Sequence, residues 1–434
     1  MSACALVAAR IRDGALQRDK VDAMSHPAVS SEVFFAAAKD AMAKDMVQNY
    51  GFDYLRASVM LALVSIQYGQ LSSMQQYMGQ FFTLAAMQRF YDEDHWQRGL
   101  SQVETELRRR TYWCAYSIDV FCAATWDCFI RSQEIHSNVR YPSDVDDEFP
   151  NEYAPSQRRA HSWLVGWNFT LDLHRVLEHS VSKARSKKFQ REERPKVNNL
   201  VFCDTFSDND VMSAILNMYY QLPSFFKETP PMTGNLGDDI YGYQAASIQA
   251  TLQLLRMILF SMEDGPGIER RCDVASEVLS VFHTIPRPYL HAISAPLIYQ
   301  LGSIGLVLGS VADEALTDHQ FHRARQSLLS MADLLESLET ALHRAAGASQ
   351  ALRAEVDRLE VAFGRRRQQQ QEMVVRGSTQ ASPQDNINIH YQLDNLAQQP
   401  LSKELSGDFQ IPLELMGNWS WRLDSALFNQ QQYG

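Results

Sequence analysis

The sequence predicts an all-α protein, a large multi-helix domain followed by a disordered C-terminal tail. Three observations carry this. Apolar residues recur with a 3.6-residue period over most of the 434 residues. No run alternates apolar and polar residues between hairpin turns, as strands would. Periodicity then stops abruptly after Gly364, where Arg365-Arg366-Arg367 leads into a stretch rich in Gln, Asn, Ser and Pro.

Helices are expected near 31–48, 52–68, 71–91, 104–127, 157–188, 208–221, 239–263, 268–283, 293–313 and 319–363. The breaks between them coincide with Pro142, Pro150, Pro230-Pro231, Gly234 to Gly237, Gly265-Pro266-Gly267 and Pro286 to Pro288. Three regions follow: a flexible N-terminal segment at 1–30, a helical domain at 31–363 and a Gln-rich tail at 364–434.

In the last helical stretch, Leu328, Leu335, Leu342, Val356 and Phe363 fall in heptad register, with Ser349 in the gap. Met331, Leu338, Ala345, Leu352 and Leu359 form a second series. Gly347 in mid-run favours closure of an intramolecular bundle, with a homodimer or heterodimer seam as the alternative. The most apolar stretch, 295–312, carries Gly305 and Gly309 in G-x3-G spacing. Its Tyr299, Gln300 and serines point to close packing in a soluble core, so no membrane is expected as a partner.

The tail is too polar to offset its ordering entropy by burial. Its end differs: DFQIPLELMGNWSWRLDSALFN, residues 408–429, sets Asp408, Glu414 and Asp424 among Phe409, Trp419, Trp421, Leu427 and Phe428. Acids that keep bulky hydrophobes soluble but available suit a short helix for a partner's groove, such as a coactivator. Docking on its own body is the equal alternative. Two basic runs, 183–196 and Arg365 to Arg367, read as solvated surface or as nuclear-import signals.

A net charge of -11 argues against unaided contact with nucleic acid. Cys4, Cys114, Cys122, Cys128, Cys203 and Cys272 show no C-x2-C pair, so no zinc ribbon or cluster is written here and the thiols read as buried and reduced. Nucleotide, serine-hydrolase and zinc-protease signatures are missing, and no cofactor or metal is expected. His319 and His322 beside Asp318 read as a helix start. Asp144, Asp146, Asp147 and Glu148 with Asn209, Asp210 and Ser213 partly imitate the magnesium segments of a terpene-synthase-like helical enzyme. Asn217 replaces that pattern's final acid, however, and the acidic cluster sits in a loop.

The most informative stretch is ELRRRTYWCAYSIDVFCAATWDCF, residues 106–129. From Thr111 to Thr125 every helix face is apolar or aromatic, so other helices must surround it. Its one acid, Asp119, is costly there unless paired, and an inward-turned arginine from this helix or a neighbour is the expected partner. Arg108 to Arg110 are expected to hold the acidic loop at 143–149.

This block resembles the fungal-specific transcription factor domain, the middle homology region of the zinc binuclear-cluster regulators. Glu106, Arg109, Arg110, Trp113 and Asp119 match its helix, and Pro142, Ser143, Asp144, Asp146 and Asp147 match its loop. Looser similarity extends over roughly 30–363, including 52–91, 218–227 and 270–310. Two departures stand out: Val120 and Trp126-Asp127-Cys128 replace an arginine and a Gly-Arg-Pro turn, and the six-cysteine cluster is not in this chain. The resemblance implies a non-enzymatic nuclear regulator of RNA polymerase II genes, contacting DNA only through a module outside this chain. A partner or inhibitor subunit of a zinc-cluster factor, and the terpene-synthase-like enzyme, are the alternatives.

Overall fold

The computed structural model describes residues 1–15, 29–42, 51–144, 162–189, 208–262, 267–313, 315–340, 342 and 347–379. Among these the chain is all-α, and no residue is in a strand. The helices are α1 (Ser2–Arg10), α2 (Ser31–Ala41), α3 (Phe52–Gln67), α4 (Leu71–Met87), α5 (Gln102–Trp126), α6 (Leu164–Phe189) and α7 (Asp208–Gln221). They continue with α8 (Leu236–Ser261), α9 (Gly267–Thr284), α10 (Arg287–Ile293), α11 (Ala295–Gly309), α12 (Asp318–Glu339) and α13 (Ala348–Thr379).

The centre is built on α8 and α11, which pack on each other. Helix α8 also meets α6 and α9, while α11 meets α12 and α13. The antiparallel pair α3 and α4 closes one side, and the pair α5 and α6 another. Nearly every residue of α11 is buried, and the apolar window Ala295–Ala312 is 89% buried inside the protein. Its small residues serve close packing: Gly302, Gly305 and Gly309 face Ala348, Leu352 and Glu355 of α13. A Cβ on Gly305 would stand 2.5 Å from a Leu352 methyl.

The heptad series at 319–363 is divided between two helices. Gly347, at φ +73°, takes the left-handed turn that a β-carbon disfavours, and α12 and α13 fold back as a hairpin. Leu328, Met331, Leu335 and Leu338 are buried on one arm, and Leu352, Val356 and Leu359 on the other. Phe321 stacks on Phe363 at 4.1 Å. Glu339, at the end of α12, accepts hydrogen bonds from the Ala348 N–H at 2.7 Å and from the Ser349 hydroxyl, satisfying the open N-terminus of α13. The seam is therefore closed within the chain.

Two boundaries differ from expectation. Residues 1–15, expected to be flexible, are helical and docked: Ala5 and Ala9 are fully buried, and α1 packs on α2 and α3. Arg10 donates to the Ala292 and Ile293 carbonyls at the end of α10, and Asp13 is buried against Gln67 and Ser294. Small alanines pack a helix closely without the bulky apolar stripe that would announce it. At the other end, α13 runs past Gly364 through the three arginines and the glutamines to Thr379. Arg, Gln and Glu are good helix formers, so a polar run extends a helix already nucleated by packing. The short helix α10 was also not anticipated. Residues 380–434, with Phe409, Trp419, Trp421, Leu427 and Phe428, lie outside the described residues, as do 145–161.

Candidate functional site

Helix α5 begins at a capping box. The Ser101 hydroxyl accepts from the Glu104 N–H at 3.2 Å, and Glu104 accepts from the Ser101 N–H at 3.0 Å. One turn on, the three arginines divide. Arg108 lies among Phe52, Phe90 and Trp96, with its guanidinium carbon 4.7 Å from the Phe52 ring centroid. Arg110 stands over Trp163, 5.9 Å away. Arg109 enters an ion-pair network, bonding to Glu106 at 2.8 Å and to both carboxylate oxygens of Glu93.

Those carboxylates hold the backbone that follows. Glu93 accepts from the Arg140 N–H at 2.9 Å, and Glu106 accepts from the Ser143 N–H at 3.0 Å. Between them, the Trp113 indole N–H donates to the Arg140 carbonyl at 2.9 Å, and the Tyr141 ring stands edge-on to Trp113 at 4.8 Å. The described part of the acidic loop is thus held by Glu106 and by Asn168, which donates to the Pro142 carbonyl at 2.9 Å and the Asp144 carboxylate at 2.8 Å. Arg109 acts on it through Glu106, and residues 145–149, the rest of that loop, lie outside the described residues.

The partner of Asp119 comes from the segment after the helix. Arg131 donates from its backbone N–H at 2.6 Å and from its guanidinium at 2.8 Å, and the Ser132 N–H adds a third bond at 3.2 Å. The Arg131 guanidinium also reaches the Gln75 side-chain carbonyl on α4. Burial pushes the Asp119 carboxyl above the usual carboxylate range, against the pull of these donors.

Helix α6 completes the arrangement with residues of a single face. Asp172 accepts from the Tyr141 hydroxyl at 2.8 Å, and Arg175 donates to Tyr141 at 3.1 Å and pairs with Glu134. The buried Glu178 accepts from the Tyr116 hydroxyl at 2.7 Å and the Glu134 N–H at 3.0 Å. Arg185 bonds the carbonyls of Ala123 at 3.0 Å and Cys128 at 2.8 Å and pairs with Asp127 at 2.9 Å. With Asn168 these positions repeat every three, four or seven residues, so they share a stripe along α6.

The result is a continuous polar seam joining α5, the 127–144 segment and α6. Apart from Asp144, which Asn168 holds, each carboxylate named in it orders a backbone amide or meets an arginine or tyrosine. Among the described residues no group of three or more His, Cys, Asp and Glu side chains has a metal-holding arrangement.

A family model described as the fungal specific transcription factor domain matches residues 3–223, half of the chain. The chain belongs to this family. No curated protein and no solved structure matches it. The family match begins inside α1 and ends at Pro223, so it takes in the docked N-terminal helix and the whole seam. In this fungal transcription factor domain, Glu106, Arg109, Trp113, Asp119, Pro142 and Asp144 are gathered on the seam, and the Arg110 guanidinium stands over Trp163. The turn written Trp126-Asp127-Cys128 places Asp127 at φ +52°, with Arg185 bonding the carbonyls around it.

Residues that the sequence reading missed are Glu93, Arg131, Arg140 and the α6 stripe. The stripe alone carried a signal, since Asn168, Asp172, Arg175 and Glu178 recur at helical spacing among the apolar residues of the first half of α6. Glu93 and Arg131 lie in irregular segments, where periodicity says nothing about partners.

Proposed function

We propose that the chain is the regulatory body of a fungal transcription factor, acting in the nucleus on RNA polymerase II genes by binding and without catalysis. The observation that supports this reading best is the seam, which arranges the motif residues of the family around buried ion pairs. A regulatory body needs a defined surface, and the seam defines how α5, α6 and the 127–144 segment present theirs. Output is assigned to residues 408–429, whose acids and aromatics suit a coactivator groove. The exposed Arg365 and Arg367 on α13 are candidates for import.

The test is a reporter assay in a fungal host, with the chain tethered to a foreign DNA-binding domain. Because α13 continues to Thr379, the shortened form should be 1–379; ending at 364 would sever a helix. Activation by 1–434 that disappears in 1–379, and in a full chain carrying W419A, W421A and F428A, is the expected result. Silence from the full chain while it is present in the nucleus would overturn the activating role and leave a partner or inhibitor subunit.

A further inference from the structure

The end of the central helix carries two cysteines that the seam does not use. Helix α5 stops at Trp126, Asp127 turns left-handed, and the N–H groups of both Asp127 and Cys128 aim at the Cys122 carbonyl, the second at 3.4 Å. That contact puts the two cysteine Cα atoms within about 7 Å, the outer limit at which a disulfide closes without large backbone movement. Both sulfurs lean on consecutive residues of α4. Cys122 Sγ donates to Met74 Sδ at 3.5 Å, and Cys128 Sγ accepts from Gln75 Nε2 at 2.7 Å. The side chains therefore leave the turn on the same side. The structure holds them as separate thiols, Cys122 buried and Cys128 half-buried.

We propose that Cys122 and Cys128 form a reversible dithiol–disulfide switch at the end of the central helix, closed by a peroxide. The half-buried Cys128 sulfur, as thiolate, attacks one peroxide oxygen. The O–O bond breaks, and the departing hydroxide takes up the proton that Cys128 gave up, leaving water and a sulfenic acid. The Cys122 sulfur then attacks Cys128 Sγ, forming the S–S bond, and the hydroxyl leaves with the Cys122 proton as a second water. Two electrons pass from the thiols to the peroxide. Burial holds the Cys122 thiol protonated, which leaves the first step to the more exposed Cys128, and Cys122 gives up its proton as it attacks the sulfenic acid.

The switch has a defined route into the seam. Gln75 bonds Cys128 through its amide nitrogen and Arg131 through its carbonyl, and Arg131 holds Asp119. Turning Cys128 Sγ toward Cys122 removes the anchor of Gln75 and loosens the Arg131 contact.

The experiment treats the full chain with hydrogen peroxide, alkylates the remaining thiols and digests with chymotrypsin, whose cut after Trp126 places the two cysteines on different peptides. The expected product is that peptide pair joined by a disulfide, released by dithiothreitol, retained in C114S and lost in both C128S and C122A. Oxidation should also shift the thermal midpoint of the wild type and leave that of C128S unmoved, with circular dichroism confirming that each variant folds. Both thiols remaining alkylatable, a pairing through Cys114 or between chains, or an unchanged midpoint after the pair has formed would each overturn the proposal.

Discussion

Asp119, about two turns before the end of the central helix, meets Arg131 through two bonds, one from the guanidinium at 2.8 Å and one from the backbone N–H at 2.6 Å. The Asp119 side chain is fully buried and that of Arg131 is 11% exposed. Removing one member of such a pair leaves the other's charge uncompensated. Asp119→Ala is therefore expected to lower stability by about 3–5 kcal/mol in urea unfolding. Unchanged stability would remove the architectural role of this aspartate.

Glu93 gives the fold a pH dependence. Burial alone would raise its carboxyl, but bonds from the Arg109 guanidinium and the Arg140 N–H, with both positive charges, outweigh burial and hold it below the ordinary range. A depressed carboxyl contributes stability that is present above its unfolded value, about 4.3, and lost as pH falls through the folded value. Wild type should thus exceed E93Q in thermal midpoint at neutral pH, and the difference should close on acidification below about pH 4. A difference that is constant with pH would contradict this assignment.

Trp113 joins the helix to the 127–144 segment through one indole N–H on the Arg140 carbonyl. Trp113→Phe keeps an aromatic ring and deletes the donor. A loss of about 1 kcal/mol is expected, the net contribution of a typical hydrogen bond, with faster proteolysis near Arg140 as the local sign.

Two glycines test the packing of α11. Gly305→Ala would press a methyl group into Leu352, and about 1–3 kcal/mol of destabilisation is expected from overpacking. Gly79→Ala on α4 meets nothing within 4 Å, so helix propensity alone should stabilise the protein by up to about 1 kcal/mol. Opposite signs in parallel unfolding curves would support the close approach of α11 and α13.

Much of this was legible locally. The helix class, the starts near 52, 71 and 208, and the central block 102–126 all follow from periodicity, capping and proline breaks, which are properties of neighbours in the chain. The motif itself was visible because its residues lie on one helix and one following loop. Illegible were the docking of α1, which uses alanines, and the extension of α13, which polar residues permit once packing has nucleated it.

The sequence by itself determined that Asp119 required a cationic partner, because a carboxylate on an all-apolar helix cannot stay unpaired. Only the tertiary structure decided that the partner is Arg131, that Arg109 belongs to Glu93 and Glu106, and that α6 supplies Asn168, Asp172, Arg175, Glu178 and Arg185 to one seam. Periodicity reports which face of an element is buried, as the burial term is local to each side chain. Pairing depends on which faces meet after the chain has turned, and that is settled by the packing of the whole body.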